Sequence, residues 1–196
     1  MYECENSYFG IHMILKKYLF QGVACEKGRK GEEQRLYRQR ISKASAYWRA
    51  LRSVQIAKIW NSAAEQMNDN AWFMKLNMPA LEMEGTLIDP KLLKVSADKL
   101  TLPQQFTAER KPDDAATIVV SWQNDPHIKG ERLLDELMVV SYANDQFSPV
   151  TATSLVRGVK NGLFSLPPHP TVATHVYLFM ASRDCEAYSE SVCFEI

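Results

Sequence analysis

The 196-residue sequence lacks the short motifs that mark common catalytic and cofactor sites. It contains no GxGxxG or GxxxxGK[ST] loop for nucleotides, no HExxH zinc motif and no GxSxG nucleophile motif. Paired carboxylates for glycoside hydrolysis need not be close in sequence, but no feature of the chain points to them. We therefore predict that the protein is not an enzyme and that it binds no cofactor.

Cysteine and histidine are few and scattered. The four cysteines show no CxxC spacing, and none of the four histidines stands at a metal-ligand spacing from them, so no metal site is predicted. Cys185 and Cys193 are close enough in sequence to meet across a hairpin, but free thiols in a reducing compartment are favoured. The acidic turns at Asp113-Asp114 and Asn144-Asp145 lack the alternating oxygen ligands of a calcium loop.

Long hydrophobic runs are also missing. The apolar stretch YFGIHMILKKYLF is too short to cross a bilayer and is interrupted by Lys16 and Lys17, so we predict no membrane span. Residues 1–34 are treated as a poorly defined N-terminal segment. A start at Met13 would give a short lipoprotein-like signal ending at Cys25, which makes a cell-envelope lipoprotein a weaker alternative.

The charge of the chain is balanced overall but unevenly distributed. The formal net charge is zero, yet residues 26–58 carry ten Lys or Arg against three Glu, whereas residues 59–196 carry 11 basic and 18 acidic residues. Hydrophobic residues make up 46% of the chain, which is ordinary for a globular protein. A basic front and an acidic back indicate two parts with different surfaces.

Residues 35–79 are predicted to be helical, because no Pro or Gly occurs between Arg35 and Met67. A break near Ser53 would divide this region into a helix pair. Apolar residues at steps of three and four form one stripe, a candidate apolar interface: Tyr37, Ile41, Ala44, Trp48 and Leu51. Arginines on the opposite side form a candidate interaction face: Arg35, Arg38, Arg49 and Arg52. That basic face either contacts phosphates, is simply solvated, or neutralises the acidic second half or a neighbouring subunit.

The remainder of the chain is predicted to be a connector, residues 80–102, followed by an all-β domain, residues 103–196. In ATIVVSWQNDP the residues Ile118, Val120 and Trp122 alternate with their neighbours, so we expect them to face inward, with Trp122 as a core anchor. HVYLFMAS is apolar on both faces, as expected in the middle of a sheet. Further strands are predicted at 135–142, 150–159 and the C-terminus, with a tight turn at Asn161-Gly162. Short strands separated by turn signals predict a sandwich, so the fold class is α+β.

The strand segments LTLPQQFTAE, TIVVSW, MVVSY, FSLPPHPTVATHVYLFMAS and ESVCFEI, in this order, resemble a fibronectin type III or immunoglobulin-like domain. Trp122 stands where that family has a core tryptophan at the end of its second strand. Leu166-Pro167 matches the Leu-Pro corner before the penultimate strand, whereas the family's tyrosine near the start of that strand has no clear counterpart. The resemblance implies an immunoglobulin/fibronectin-III-like β-sandwich after the N-terminal amphipathic helices.

Residues 35–196 as a whole resemble a family of uncharacterised proteins from Bacteroidota and their phages, which pair a helical N-terminal part with such a sandwich. The likeness is carried by the arginine-rich helix, the strands and a run formed by Trp60-Asn61-Ser62-Ala63, Phe73 and Asn77. The resemblance implies no known activity.

These features favour a non-enzymatic structural, assembly or adaptor protein with protein partners, either copies of itself or other proteins of a larger assembly. The resemblance adds a phage or prophage origin and a virion or tail context, in which the protein would be cytoplasmic or virion-associated. A nucleic-acid-binding protein that uses the basic helix face is the alternative.

Overall fold

A long helix opens the part of the chain that the computed structural model describes, which comprises residues 27–51, 58–60, 63–64, 68–97, 99–168 and 171–196. This helix, α1, runs from Lys27 to Leu51 and thus begins upstream of Arg35, where the sequence analysis placed the start of the helical region. Two glycines made residues 27–34 a poor helix candidate, but a glycine costs only about 1 kcal/mol in a helix, and the Lys, Arg, Glu and Gln around them are good helix formers.

The second helix, α2, spans Asp69–Asn77 and has its own start signal. The Asn68 side chain accepts a hydrogen bond from the backbone N–H of Ala71 at 2.7 Å, and Asp69 lies in the first turn, where a negative charge favours the helix. This helix lies within the predicted helical region, residues 35–79. The cap at Asn68 makes it a separate helix, which is followed by a 3-10 turn at Met78–Ala80.

The C-terminal part forms two antiparallel sheets, so the chain is an α+β protein. One sheet has three strands in the order β1-β2-β6, and the other has five, in the order β4-β3-β7-β8 with β5 also paired to β3. The strands are β1 (Gln104–Lys111), β2 (Asp114–Gln123), β3 (Glu136–Ala143), β4 (Gln146–Phe147), β5 (Thr151–Val156), β6 (Asn161–Ser165), β7 (His175–Ala181) and β8 (Val192–Glu195).

The five-stranded sheet is covered on both faces. Side chains from one of its faces, including Leu137 and Leu178, share a hydrophobic cluster with Ile118 and Trp122 of the three-stranded sheet, as in a β-sandwich. Side chains from its other face, such as Phe179, share a second cluster with residues of α1, α2 and the connector. This explains why β3 and β7 are buried along almost their whole length, and it confirms that β7 lies in the middle of a sheet.

The strand predictions succeed where the alternation is strict and fail at one turn. Ile118, Val120 and Trp122 are buried while their neighbours in β2 are not, as predicted. The predicted tight turn at Asn161-Gly162 is wrong, because both residues belong to β6. The chain instead reverses through a 3-10 turn at Arg157–Val159 and through Lys160, which takes the left-handed φ of 68°.

Candidate interaction surfaces

The predicted basic face lies on the solvent side of α1. Arg35, Arg38 and Arg49 are all exposed. Arg35 approaches Glu32 at 3.7 Å, and Arg49 Nε donates to a backbone carbonyl one turn earlier at 3.2 Å, so both contacts stay within the helix. The fourth predicted arginine, Arg52, lies outside the described residues. The three described arginines therefore point to solvent with little internal compensation.

The predicted apolar stripe is divided between surface and core. Tyr37 is 52% exposed and Ile41 is half-buried, but Trp48 and Leu51 are buried in the cluster between the helices and the five-stranded sheet. The ring of Trp48 lies 5.3 Å from that of Phe73. The second half of the stripe is therefore core and not a free interface, because α1 docks on the protein's own sheet.

Lysines link the helical part to the acidic second half. Lys43 Nζ lies 2.6 Å from Asp145 Oδ2, and Lys58 Nζ lies 2.7 Å from Glu186 Oε1. Neutralisation of the acidic half, one interpretation of the basic segment, is thus carried by these lysines. Arg40 of α1 donates to the carbonyl of Met78, whereas the exposed Arg35, Arg38 and Arg49 remain accessible to a partner.

A single carboxylate ties α1 to the sheet. Asn144 and Asp145 form the turn between β3 and β4 with left-handed φ values of 49° and 62°, which Asn and Asp tolerate better than most residues. Asp145 Oδ1 accepts hydrogen bonds from the hydroxyls of Tyr47 at 2.5 Å and Tyr142 at 3.0 Å, and its other oxygen accepts the ammonium of Lys43. Two residues of the helix therefore converge on one turn of the sheet.

The titration of this cluster reflects its partial burial. Burial opposes the negative charge of Asp145, but the hydrogen bonds from Lys43, Tyr47 and Tyr142 outweigh that effect and lower its pKa. Burial, followed by the charge of Asp145, raises the pKa of Tyr142 to about 12. Burial and the hydrogen bond to Asp145 also raise the pKa of Tyr47. Near neutral pH the cluster is one carboxylate held by two neutral phenols and an ammonium.

The connector is fixed to both parts of the protein by buried polar side chains. Asn77 Nδ2 donates to the carbonyl of Lys94 at 3.0 Å, while its Oδ1 accepts from the N–H of the same residue at 2.6 Å. Ser96 Oγ donates to the carbonyl of Ser189 at 2.7 Å, and the N–H of Ser191 donates to the carbonyl of Ser96 at 2.9 Å. The segment predicted as a linker thus joins the helices to the β part as one packed unit.

The core anchor Trp122 is coupled to a buried arginine. Trp122 is 3% exposed, stacks on Phe106 with the ring centroids 5.4 Å apart, and donates from Nε1 to the carbonyl of Arg157 at 3.0 Å. The guanidinium of Arg157 is fully buried and donates to Asp135 Oδ2 at 3.1 Å and to the carbonyl of Thr101 at 2.7 Å. This buried ion pair fixes the end of the sandwich where β2, β3 and β5 meet, so its role is structural.

The outer face of the three-stranded sheet presents an apolar centre to solvent. Val119 of β2 and Leu163 of β6 are register partners and are 41% and 55% exposed. On the β1 side of this pair, the exposed Glu109 lies opposite Val119, and in the next row of the same face the hydroxyls of Thr107 and Ser121 form a hydrogen bond of 2.8 Å. An open cleft of about 500 Å³ lies next to Leu163, between β6 and β5.

The two cysteines in the described residues, Cys185 and Cys193, are not joined to each other. Burial raises the pKa of the Cys193 thiol to about 12, with a hydrogen bond involving Tyr177 opposing the shift. A protonated, partly buried thiol is a weak nucleophile. Tyr177 itself is a structural contact, since its hydroxyl donates to the carbonyl of Pro90 at 2.7 Å.

Metal ligands and membrane spans were sought in the same part of the chain. Among the described residues, no three His, Cys, Asp or Glu side chains come together as metal ligands would. None of the helices in this part has the length and hydropathy needed to cross a membrane. The expectations for residues 1–26, including acylation of Cys25, and for the helix break near Ser53 concern residues outside the described ranges.

No family model, curated protein or solved structure matches this chain. Its function must therefore be inferred from the surfaces and contacts described above.

Several residues that organise these surfaces carried no recognisable signal in the sequence. Asp145 was identified only as part of a turn, because its partners Tyr47 and Lys43 lie about a hundred positions earlier. Asn77 belonged to a motif without an assigned role. Arg157 was placed in a predicted strand, and nothing local marks it as a buried cation. The cluster around Asp145 could have been predicted only if the contact between α1 and the β3–β4 turn had been known.

Proposed function

We propose that the protein is a non-enzymatic assembly protein that associates with protein partners, in the first place with copies of itself. The observation that carries this proposal is the exposed apolar pair on the outer face of the three-stranded sheet, where Val119 and Leu163 lie side by side with Glu109 of β1 next to Val119. Single exposed apolar residues are ordinary on a protein surface, but two that lie side by side at the free edge of a sheet form a small apolar patch to which a partner can bind.

The rigidity of the helical part supports the same function. Asp145 holds α1, Asn77 holds the connector, and both do so through several hydrogen bonds. A surface that is already ordered loses little conformational entropy when it binds, so more of the contact energy contributes to affinity. A scaffold of this kind suits repeated assembly better than a flexible linker between two domains would.

We further propose that the β part is an immunoglobulin/fibronectin-III-like sandwich. In support, the first two strands share one sheet with the later strand β6, while β3 lies beside β7 and β8 in the other sheet, which is the order of strands in immunoglobulin-type domains. Such domains present sheet faces and edges to partners, in agreement with an assembly role. The proposal that the assembly is a phage or prophage particle rests on the resemblance to the Bacteroidota and phage family.

The second candidate function is nucleic-acid binding by α1. It is favoured by the exposed arginines Arg35, Arg38 and Arg49, which protrude from one helix face, while Lys43 and Lys58 form ion pairs with the β part. Guanidinium groups in a row contact phosphates well. Binding of this type releases counterions, so its affinity would fall steeply with salt.

One experiment separates the two functions. The full chain is passed over a size-exclusion column with light scattering, at about 50 mM and about 500 mM salt, while absorbance is recorded at 260 and 280 nm. An oligomer that persists at high salt without nucleic acid is expected, because apolar contacts are not screened. A monomer at both salt concentrations would contradict self-assembly.

A species that carries nucleic acid at low salt and releases it at high salt would support nucleic-acid binding by α1 instead. In that case Arg38→Glu with Arg49→Glu should abolish binding. The matched control is Lys129→Glu with Arg183→Glu, which makes the same change in charge at exposed positions outside α1.

A further inference from the structure

The edges of the two sheets are protected, with one exception among the described strands. The register of β1 with β2 shifts twice, Gln105 takes a φ of 47°, and the strand ends in charged residues, so the β1 edge is irregular and charged. β8 is flanked by the connector, where Ser191 N–H donates to Ser96. β5 is interrupted by a register shift and by Ser154 with a φ of 62°. Bulges, charges and covering segments are the usual devices that keep a sheet edge from pairing with another chain.

β6 has no register shift and no charged residue, although the side chain of Leu155 from β5 packs against its Gly162. Its sequence NGLFS contains no charge and no proline, and its register with β2 is continuous from Asn161 to Ser165. Within the described residues no strand pairs with its other side. An unprotected edge with an exposed leucine is a template for another strand.

The backbone groups that face this free edge follow from the pairing with β2. The N–H of Trp122 donates to the carbonyl of Lys160 at 2.8 Å, and the N–H of Leu166 donates to the carbonyl of Ala116 at 2.7 Å. Even-numbered residues of β6 therefore direct their backbone groups toward β2. Since these directions alternate along a strand, the N–H and C=O groups of Asn161, Leu163 and Ser165 point to the open side.

We infer that a second copy of this chain occupies the edge, with β6 pairing antiparallel to β6 of the copy around a two-fold axis at Leu163. This inference rests on the proposed assembly function. In that register Leu163 faces its own copy and Asn161 faces Ser165, so each pair exchanges both backbone hydrogen bonds. No like charges meet, because the three outward-facing residues are neutral. The exposed Val119–Leu163 pair of one copy then continues into the same pair of the other, so that the two Leu163 side chains contact each other across the axis.

The arrangement is isologous and closes on itself, as two-fold dimers do. The two three-stranded sheets become one six-stranded sheet in the order β1-β2-β6-β6-β2-β1. Because the two-fold axis passes through Leu163, residue 163 of one copy must contact residue 163 of the other. A strand from a different protein at this edge would not have to meet that condition.

That condition defines the test. Leu163→Lys and Leu163→Glu are made in the full chain and studied by sedimentation equilibrium with reductant, separately and as a mixture. Each variant alone places like charges opposite each other and should weaken dimerisation by at least about a hundredfold. The mixture places Lys opposite Glu and should restore a one-to-one heterodimer. Ile88→Lys and Ile88→Glu are the matched controls, since Ile88 is 53% exposed and lies in the connector, and they should leave the dimer unchanged.

Each other outcome overturns the inference in a distinguishable way. A wild-type oligomer that neither charged variant weakens would leave self-assembly standing and remove the β6 edge as its site. Dissociation without rescue in the mixture would exclude the two-fold register at Leu163. A wild-type monomer up to about 100 μM would overturn both self-pairing and self-assembly, and would leave the edge to a strand of another protein. Leu163→Pro, which removes the outward N–H, serves as a second variant, and thermal melting of every variant excludes loss of folding as the cause.

Discussion

Replacing Asp145 by Asn tests the attachment of α1 to the sheet with the least disturbance elsewhere. Asn tolerates the left-handed backbone at this turn, so the β3–β4 connection should keep its shape. The exposed ion pair with Lys43 contributes about 0.5 kcal/mol. The bonds from Tyr47 and Tyr142 fall from charge-assisted to neutral strength, a loss of about 0.5–1 kcal/mol each. The expected decrease in the free energy of unfolding is thus about 2 kcal/mol, or roughly 4–8 °C in Tm for a chain of this size.

The pH dependence of the free energy of unfolding tests this reasoning more sharply than the size of the decrease does. The pKa of Asp145 is lowered in the folded protein, so its contribution to stability is present above the unfolded value and is lost as pH falls through the folded one. We therefore expect the free energies of unfolding of the wild type and of Asp145→Asn, measured with urea, to differ by a constant amount above about pH 5. Below about pH 4 this difference should shrink.

Asp113→Asn provides the control, because Asp113 is an exposed carboxylate in the β1–β2 turn and its replacement makes the same change in charge. It should alter stability by less than about 0.5 kcal/mol. If the difference in free energy of unfolding between the wild type and Asp145→Asn stayed the same down to pH 3, the reasoning would be refuted. It would mean that the charge of Asp145 does not hold the helix.

Two further predictions concern the sandwich. Trp122→Ala should lower the free energy of unfolding by about 3–5 kcal/mol, because the ring is buried; a loss below about 1 kcal/mol by urea unfolding would mean that the inward face of β2 has been misidentified. Gly162→Ala should destabilise the protein by about 1 kcal/mol, because a Cβ there would come within 2.5 Å of Leu155 Cδ2. In a Leu155→Ala background the same change should instead stabilise by about 0.5 kcal/mol, as alanine does in a strand interior, and an unchanged sign would show that Leu155 does not close over Gly162.

The sequence predicted those parts of the fold that depend on local pattern. Strict alternation in β2 identified the inward residues Ile118, Val120 and Trp122, and the doubly apolar β7 identified a strand buried on both faces. The start of α1 was missed because two glycines outweighed the good helix formers around them. The turn at Asn161-Gly162 was predicted from a dipeptide that favours turns, but Lys160 takes the left-handed conformation and Gly162 serves a different purpose, close packing under Leu155.

The candidate site depended on pairings that no local pattern encodes. The basic face of α1 was found because a helix places residues at steps of three and four on one side. The same argument predicted Trp48 and Leu51 as an interface, and it could not tell that the partner surface is the protein's own sheet. An apolar helix face indicates that the helix packs against another surface, but it does not identify that surface. The neutrality of the β6 edge becomes meaningful only when the protection of the other edges is known.

The way in which the helices are attached determines which surfaces remain for function. With α1, α2 and the connector on one face of the five-stranded sheet and the three-stranded sheet on the other, both broad faces of the larger sheet are used internally. The lysines that neutralise the acidic half are used as well, through Asp145 and Glu186. In the described part of the chain this leaves the outer face of the three-stranded sheet with its β6 edge, and the arginine face of α1, on different layers of the protein. A dimer formed through β6 would therefore leave the arginines of both copies exposed, so assembly and phosphate binding are compatible in one particle and can be removed one at a time by substitutions at Leu163 or at Arg38 and Arg49.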